Sequence, residues 1–256
     1  MGGVLVGYNA QAVVAGLLPP EEDGTAAPGG LLIVAADVTT DRDDHGQLVP
    51  LLDQALAVTG TAPAQYLADG GYHSAANLAA CADRDQAVLM PDPQAPRPSQ
   101  PYHKDRFVYD PATDTDTCPQ GQVVTFHGLV SRGPGRPPDR KYRASKLACA
   151  ACPVRFACTK SETKGRSIVI SPDDETLRAH RATMATATAR TAYRRRKSLP
   201  EPVFGILKEQ QAARRFLLRG LANVRAEWSL LATAFNLRTL ARIWRSTARL
   251  ALPAAA

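Results

Sequence analysis

The chain has 256 residues, is 45% hydrophobic and carries a formal net charge of +7, which is enough apolar material to bury a core in one large domain or two small ones. No stretch approaches the ~18 consecutive apolar residues of a membrane span, and the start MGGVLV lacks the basic flank of a signal peptide. A cytoplasmic protein is therefore expected, in which clustered cysteines are more often metal ligands than disulfides. The charge is uneven: residues 1–177 hold 15 Lys/Arg against 21 Asp/Glu, a net −6, whereas residues 178–256 hold 16 against 3, a net +13. A basic carboxyl-terminal third beside an acidic remainder suits a polyanion partner next to a cation-binding centre. Solvated arginine-rich helix faces would give the same count.

In chain order, Gly7 to Val14 alternates loosely and reads as a strand, and Leu31 to Thr39 as a second, more aliphatic one. The Pro/Gly/Glu loop from Gly16 to Gly30 would join them as a hairpin with a long connection. Asp41 to His45 supplies capping residues, and Leu48, Leu51, Leu52, Ala55 and Leu56 recur at helical spacing up to Gly60. Ala64 to Ala68 reads as a strand, Ser74 to Arg84 as a helix begun by a Ser cap, and Ala87 to Met90 as a short buried strand. That order predicts an α/β domain with a mixed sheet. From Pro91 to about Ile170 prolines crowd the chain and no period survives, so loops and short strands held by something other than a large core are expected. From Pro172 onward the chain reads as helices, with Phe204, Leu207, Phe216, Leu217, Leu221, Val224, Trp228, Leu231 and Phe235 on an apolar face interrupted near Gly220.

Three features carry chemistry. Within YLADGGYHS, residues 66–74, Asp69 stands in a glycine-punctuated turn after a short strand. Asp-Gly is a common turn dipeptide, and a metal-binding carboxylate with Gly70 and Gly71 clearing room for a substrate backbone is the alternative; it requires partner carboxylates. Cys118, Cys149, Cys152 and Cys158, spaced C-x30-C-x2-C-x5-C, have the ligand number of a tetrahedral zinc site, with a single C-x2-C knuckle. Reduced structural cysteines would satisfy the same spacing, and Cys81 reads as a small buried hydrophobe. Glu201 precedes Phe204 and Lys208 on roughly one helical face, yet Ser198 to Glu201 also fits the S-x-x-E capping box.

GYNAQAVV at 7–14, VAADVT at 34–39, ADGGYHS at 68–74, YRRRKSLPEPVFGILK at 193–208 and RRFLLRGLANVRAEWSLLATAFNL at 214–237 together resemble the successive landmarks of bacterial insertion-sequence transposases of the DDE type. The branch most resembled carries a cysteine-bearing insertion, here YDPATDTDTCPQG at 109–121 and CAACPVRFAC at 149–158. The resemblance implies a ribonuclease H-like mixed sheet with flanking helices, in which two aspartates and a glutamate hold two divalent ions. By position Asp69 matches the second aspartate and Glu201 the glutamate, both as Mg2+ or Mn2+ ligands, while Tyr193, Arg196 and Lys208 resemble the DNA-contacting companions. Residues 1–94 would form the first part of the catalytic domain, 95–170 an inserted four-cysteine, zinc-ribbon-like segment, and 171–256 the helical remainder carrying Glu201.

The implied function is metal-dependent DNA strand cleavage and transfer in transposition. DNA is the implied partner, an oligomer of identical subunits the implied assembly, and the nucleoid the place of action. The first aspartate should lie on a strand upstream of the hairpin, where only six residues, none acidic, precede Gly7. Asp37, Asp41, Asp43 and Asp44 lie near enough in sequence to approach the site, but none matches that position. The expectation is an amino-terminally truncated copy, lacking its first strand and unable to cleave DNA by itself. The alternative is a non-enzymatic basic nucleic-acid-binding protein using the arginine-rich helices of 178–249.

Overall fold

The computed structural model describes residues 7–17 and 30–250, the last four as backbone. Most of the expected loop between Gly16 and Gly30 lies outside them. Two compact units form, Met1–Met90 with Ala185–Ala256, and Pro91–Met184.

In the first unit, β1 (Asn9–Leu17) pairs antiparallel with β2 (Gly30–Thr39), with a register shift at Val13/Val14. Helix α1 (Leu48–Thr59) buries Leu48, Leu51, Leu52 and Ala55, the three-and-four spacing that places side chains on one stripe. It ends at Gly60, whose positive φ of 70° closes the helix with an N–H bond to the Leu56 carbonyl. The capping expected of Asp41 to His45 reaches the turn before α1 but not α1 itself. A 3-10 turn, His45–Gln47, runs directly into α1; neither N-cap residue, Asp44 or Gln47, caps with its side chain, and the Asp43 side chain accepts the His45 N–H at 3.1 Å. Strand β3 (Tyr66–Leu67) leads to the Asp69 turn. Then α2 (Ala75–Ala82) starts where the Ser74 hydroxyl accepts the Asn77 N–H at 3.1 Å, and β4 (Val88–Leu89) returns parallel to β3. The hairpin and the parallel β3–β4 pair form two separate two-stranded sheets, since no described strand pairs with both β1 and β3.

The second unit is more regular than its proline-rich sequence suggested. Strands β5 (Val108–Asp110), β6 (Thr115–Thr117), β7 (Val123–Val130), β8 (Asp139–Ala144) and β9 (Ser167–Ile170) form an antiparallel sheet in sequential order. Thr115–Thr117 and Asp139–Ala144 are too polar to show alternation, but each is paired on both edges. Short helices α3 (Lys146–Ala150) and α4 (Arg155–Cys158) connect β8 to β9. The core is small: Phe107, Val124, Tyr142, Ala144 and Ile168, with Cys118, Cys149 and Ile170 packed against it. Charge pairs supplement it where α5 (Asp174–Ala185) meets the segment 92–105. Arg181 bonds Asp92 at 2.6 Å and Asp105 at 2.8 Å, and Arg178 and Lys104 both reach the buried Asp174.

The chain then re-enters the first unit through α6 (Ala187–Arg194), whose start is capped by the Thr186 hydroxyl. A 3-10 turn at Arg195–Ser198, α7 (Pro200–Gln210) and α8 (Leu221–Leu250) complete it. Val203 and Leu207 of α7 and Val224, Trp228, Ala232 and Phe235 of α8 pack on Ile33 and Val38 of β2, with Phe204 stacked on Trp228 at 5.8 Å. Leu217, placed on this face by periodicity, is instead 76% exposed because it lies in the non-helical loop between α7 and α8. Asn236 accepts the Ile33 N–H and donates to the Ile33 carbonyl, each at 2.8 Å, so that one side chain satisfies both backbone groups there.

Candidate catalytic carboxylate site

Asp69 emerges from β3 and caps a 3-10 turn, Gly70–Tyr72; its Oδ1 accepts the Gly70 N–H at 2.7 Å. The turn closes by the Tyr72 N–H bonding the Asp69 carbonyl and the His73 N–H bonding the Gly70 carbonyl, each at 3.1 Å. The second oxygen, Oδ2, accepts from Arg196 Nη2 at 2.8 Å, and the Asp69 side chain is 60% exposed. One turn of chain earlier, the Tyr193 hydroxyl donates to the Ala68 carbonyl at 3.1 Å. Burial pushes that phenol's pKa up, with Arg196 opposing and Asp69 adding to the shift. Thus Asp69, Tyr193 and Arg196, separated by more than a hundred residues in sequence, converge. Arg196 is there a counter-ion of Asp69.

Glu201 lies in the first turn of α7, exposed, without a hydrogen bond or ion pair to any described residue. The capping-box alternative is not built. Ser198 donates its hydroxyl to the Arg195 carbonyl at 2.7 Å, Leu199 occupies the N-cap position, and Pro200 opens the helix where a missing N–H costs nothing. Lys208 is exposed in the last turn of the same helix. No hydrogen bond or ion pair among the described residues joins Glu201 or Lys208 to Asp69, and no group of three or more His, Cys, Asp or Glu there stands ready to hold a metal ion.

Of the neighbouring aspartates, Asp37 pairs with Arg225 at 2.8 Å, Asp41 accepts from Gln47 at 2.7 Å, and Asp43 accepts the His45 N–H at 3.1 Å. Asp44 reaches the Asp69 turn. Its Oδ1 accepts from Asn9 and, at 2.8 Å, from Gln11, while its Oδ2 lies against Gly71. Gln11 in turn accepts the Tyr72 hydroxyl at 3.0 Å. Burial raises the Tyr72 phenol's pKa, and the Asp44 and Asp69 carboxylates raise it further. The space that Gly71 leaves is taken by Asp44, so the expectation that it clears room for a substrate backbone does not hold. Sequence reading missed Asn9, Gln11 and Tyr72. The available signal was two amides two residues apart, hence on one face of a strand otherwise built of small apolar residues.

In the second unit, all four cysteines, Cys118, Cys149, Cys152 and Cys158, are unpaired and line one small cavity. Backbone N–H groups of Gln122 and Arg166 donate to the sulfurs of Cys118 and Cys149 at 3.3 and 3.4 Å. Burial pushes the Cys158 thiol's pKa up; Arg166 opposes, and the other three cysteines add to it. Cys81 is buried in α2, as its sequence setting suggested.

No described helix is long and apolar enough to cross a membrane. No curated protein and no solved structure matches the chain. The family model of the transposase DDE domain matches residues 117–241, a stretch that holds the four cysteines, Tyr193, Arg196, Glu201 and Lys208 but not Asp69. Over that stretch, just under half of its length, the chain is similar to the transposase DDE domain.

Proposed function

We propose that this chain serves DNA strand cleavage and transfer, with Asp69 and Glu201 as the carboxylates of a Mg2+ or Mn2+ centre in a ribonuclease H-like domain. The observation that supports this most is the exposed Asp69 carboxylate, held by its own turn beside the Arg196 guanidinium, with the Tyr193 hydroxyl fixing the preceding carbonyl. The donor chemistry fits: carboxylate oxygens are the hard ligands Mg2+ prefers, Glu201 has no hydrogen bond or ion pair to a described residue, and Asp69 is mostly exposed. A divalent ion bound there would activate an attacking water or 3′-hydroxyl and stabilise the leaving oxygen of a phosphodiester. In this reading Arg196 exchanges Asp69 for a DNA phosphate when substrate arrives, Lys208 offers a second phosphate contact, and Tyr193 holds the strand end in register.

The four cysteines belong to the same reading as a structural zinc site that closes the ribbon. Cys118, Cys149, Cys152 and Cys158 would hold the ion, and a tetrahedral thiolate site would supply cross-linking in place of the missing bulk of that unit's core. DNA is the macromolecular partner, an assembly of identical subunits the working form, and the cytoplasm and nucleoid the location. The non-enzymatic alternative rests on exposed Arg190, Arg194, Arg195 and Lys197 along α6 and the turn after it; it requires DNA binding indifferent to Asp69 and Glu201.

Two carboxylates leave a pair of divalent ions under-coordinated, so the purified chain is expected to bind DNA and Mn2+ but not to nick supercoiled DNA. Calorimetry should show Mn2+ affinity falling by about tenfold or more in Asp69→Asn and in Glu201→Gln. Affinity unchanged in both variants would overturn the site assignment. Mn2+-dependent nicking by the unaltered chain, abolished in Asp69→Ala, would show that the isolated chain is catalytically complete.

A further inference from the structure

We propose that Asp44 is a positioning residue that sets the backbone turn carrying Asp69, an inference that rests on Asp69 being a metal ligand. The turn Gly70–Tyr72 has few anchors of its own. It is three residues long, exposed at Gly71, and closed by two backbone bonds. A short 3-10 turn of this kind has weak intrinsic hold on its geometry. Asp44 supplies the missing constraint.

Its Oδ1 accepts from two side chains of β1, Asn9 and Gln11, so the carboxylate is fixed to the hairpin and cannot swing away. Its Oδ2 then sits so close to Gly71 that a Cβ at that position would lie 2.6 Å from it. Gly71 is not among the glycines with positive φ, so the backbone conformation alone would admit other residues. A side chain at that position would have to displace the Asp44 carboxylate from its place beside the turn. The buried Gln11 closes the loop of contacts, since its own Oε1 accepts the Tyr72 hydroxyl at 3.0 Å. Asn77 ties the two segments again, donating to the His45 carbonyl at 2.8 Å and to the Tyr72 carbonyl at 2.7 Å. The Gly71–Tyr72 side of the Asp69 turn is thereby referenced to β1 and α2.

A merely structural Asp44 and a positioning Asp44 differ in one respect. The first would lower stability when removed and leave the Mn2+ affinity of the folded protein alone; the second would weaken Mn2+ binding in protein that remains folded. A third role, Asp44 as a ligand, is separated by the amide variant, which keeps an acceptor oxygen for Asn9 and Gln11 but cannot serve as an anionic ligand.

The experiment is Mn2+ binding to the full chain by electron paramagnetic resonance, with Asp69→Asn defining the relevant component and circular dichroism melting reporting folding. Asp44→Ala is expected to weaken that component about tenfold or more, and Asp44→Asn by no more than about threefold. Unchanged affinity in Asp44→Ala, with Asp69→Asn defective, overturns the inference. So does equal damage in Asp44→Asn and Asp44→Ala, which would make Asp44 a ligand. Should Asp44→Ala fail to fold, Tyr72→Phe removes only the hydroxyl bonded to Gln11, and a loss of about threefold is expected; no loss overturns the inference. If Asp69→Asn itself retains full affinity, the metal reading of Asp69 has failed, and this inference goes with it.

Discussion

Asp116 illustrates how much a single buried group can cost. It lies in the middle strand pairing of β6 with no solvent exposure, and neither carboxylate oxygen has a hydrogen-bond partner. Burial pushes its pKa up; Arg178 opposes, and Asp114 and Asp174 add to the shift. A carboxyl whose folded pKa is raised favours folding fully below its unfolded pKa, and that contribution is lost as pH rises through the folded value. Near neutral pH the folded state therefore bears the cost of an unpaired buried carboxyl, and Asp116→Asn should stabilise the protein by roughly 1–3 kcal/mol. Chemical denaturation at pH 7 and again near pH 4 checks this: the gain should shrink at the lower pH, and a loss of stability at pH 7 would mean that the carboxylate has a favourable role. At the same scale, Asp69 was legible as a turn residue from its glycines. The roles of Asp44 and Arg196 were not, because each depends on partners supplied by distant segments.

At the scale of elements, strongly periodic or clearly capped segments were readable. The stripe of α1, the Ser74 cap of α2 and the hairpin strands all follow from local spacing and turn chemistry. The β5–β9 sheet was not, since its short polar strands are stabilised by neighbours on both sides and carry little pattern of their own. The cysteine connections offer the sharpest test of what holds this unit together. Elemental analysis of protein purified without added metal should find about one zinc per chain, and Co2+ substitution should give the charge-transfer absorption of thiolate ligation. Cys152→Ser should lower the zinc content, and chelation should lower the melting temperature. A content well below one zinc per chain, with all thiols freely titratable, would remove the site.

Across the whole molecule the charge distribution makes its own prediction. Residues 178–256 carry a net +13 against −6 for the rest of the sequence, and exposed Arg190, Arg194, Arg195 and Lys197 cluster in sequence near Asp69's counter-ion Arg196. DNA affinity should fall steeply with salt, and replacing Arg194 and Arg195 by Gln should lower the log–log slope by about one for each lost phosphate contact. A slope unchanged in both variants would place the DNA contacts elsewhere. Sequence alone determined the α/β alternation, the carboxylate turn at Asp69, the four-cysteine spacing and the basic helices, because periodicity, turn propensity and charge are properties of neighbouring residues. Only the tertiary structure decided four points. Glu201 is no capping residue, Arg196 lies on Asp69, Asp44 fills the space beside Gly71, and the hairpin stays apart from the parallel β3–β4 pair. Those outcomes depend on which segments meet in space, and a hydrogen bond between residues far apart in the chain leaves no periodic trace in either.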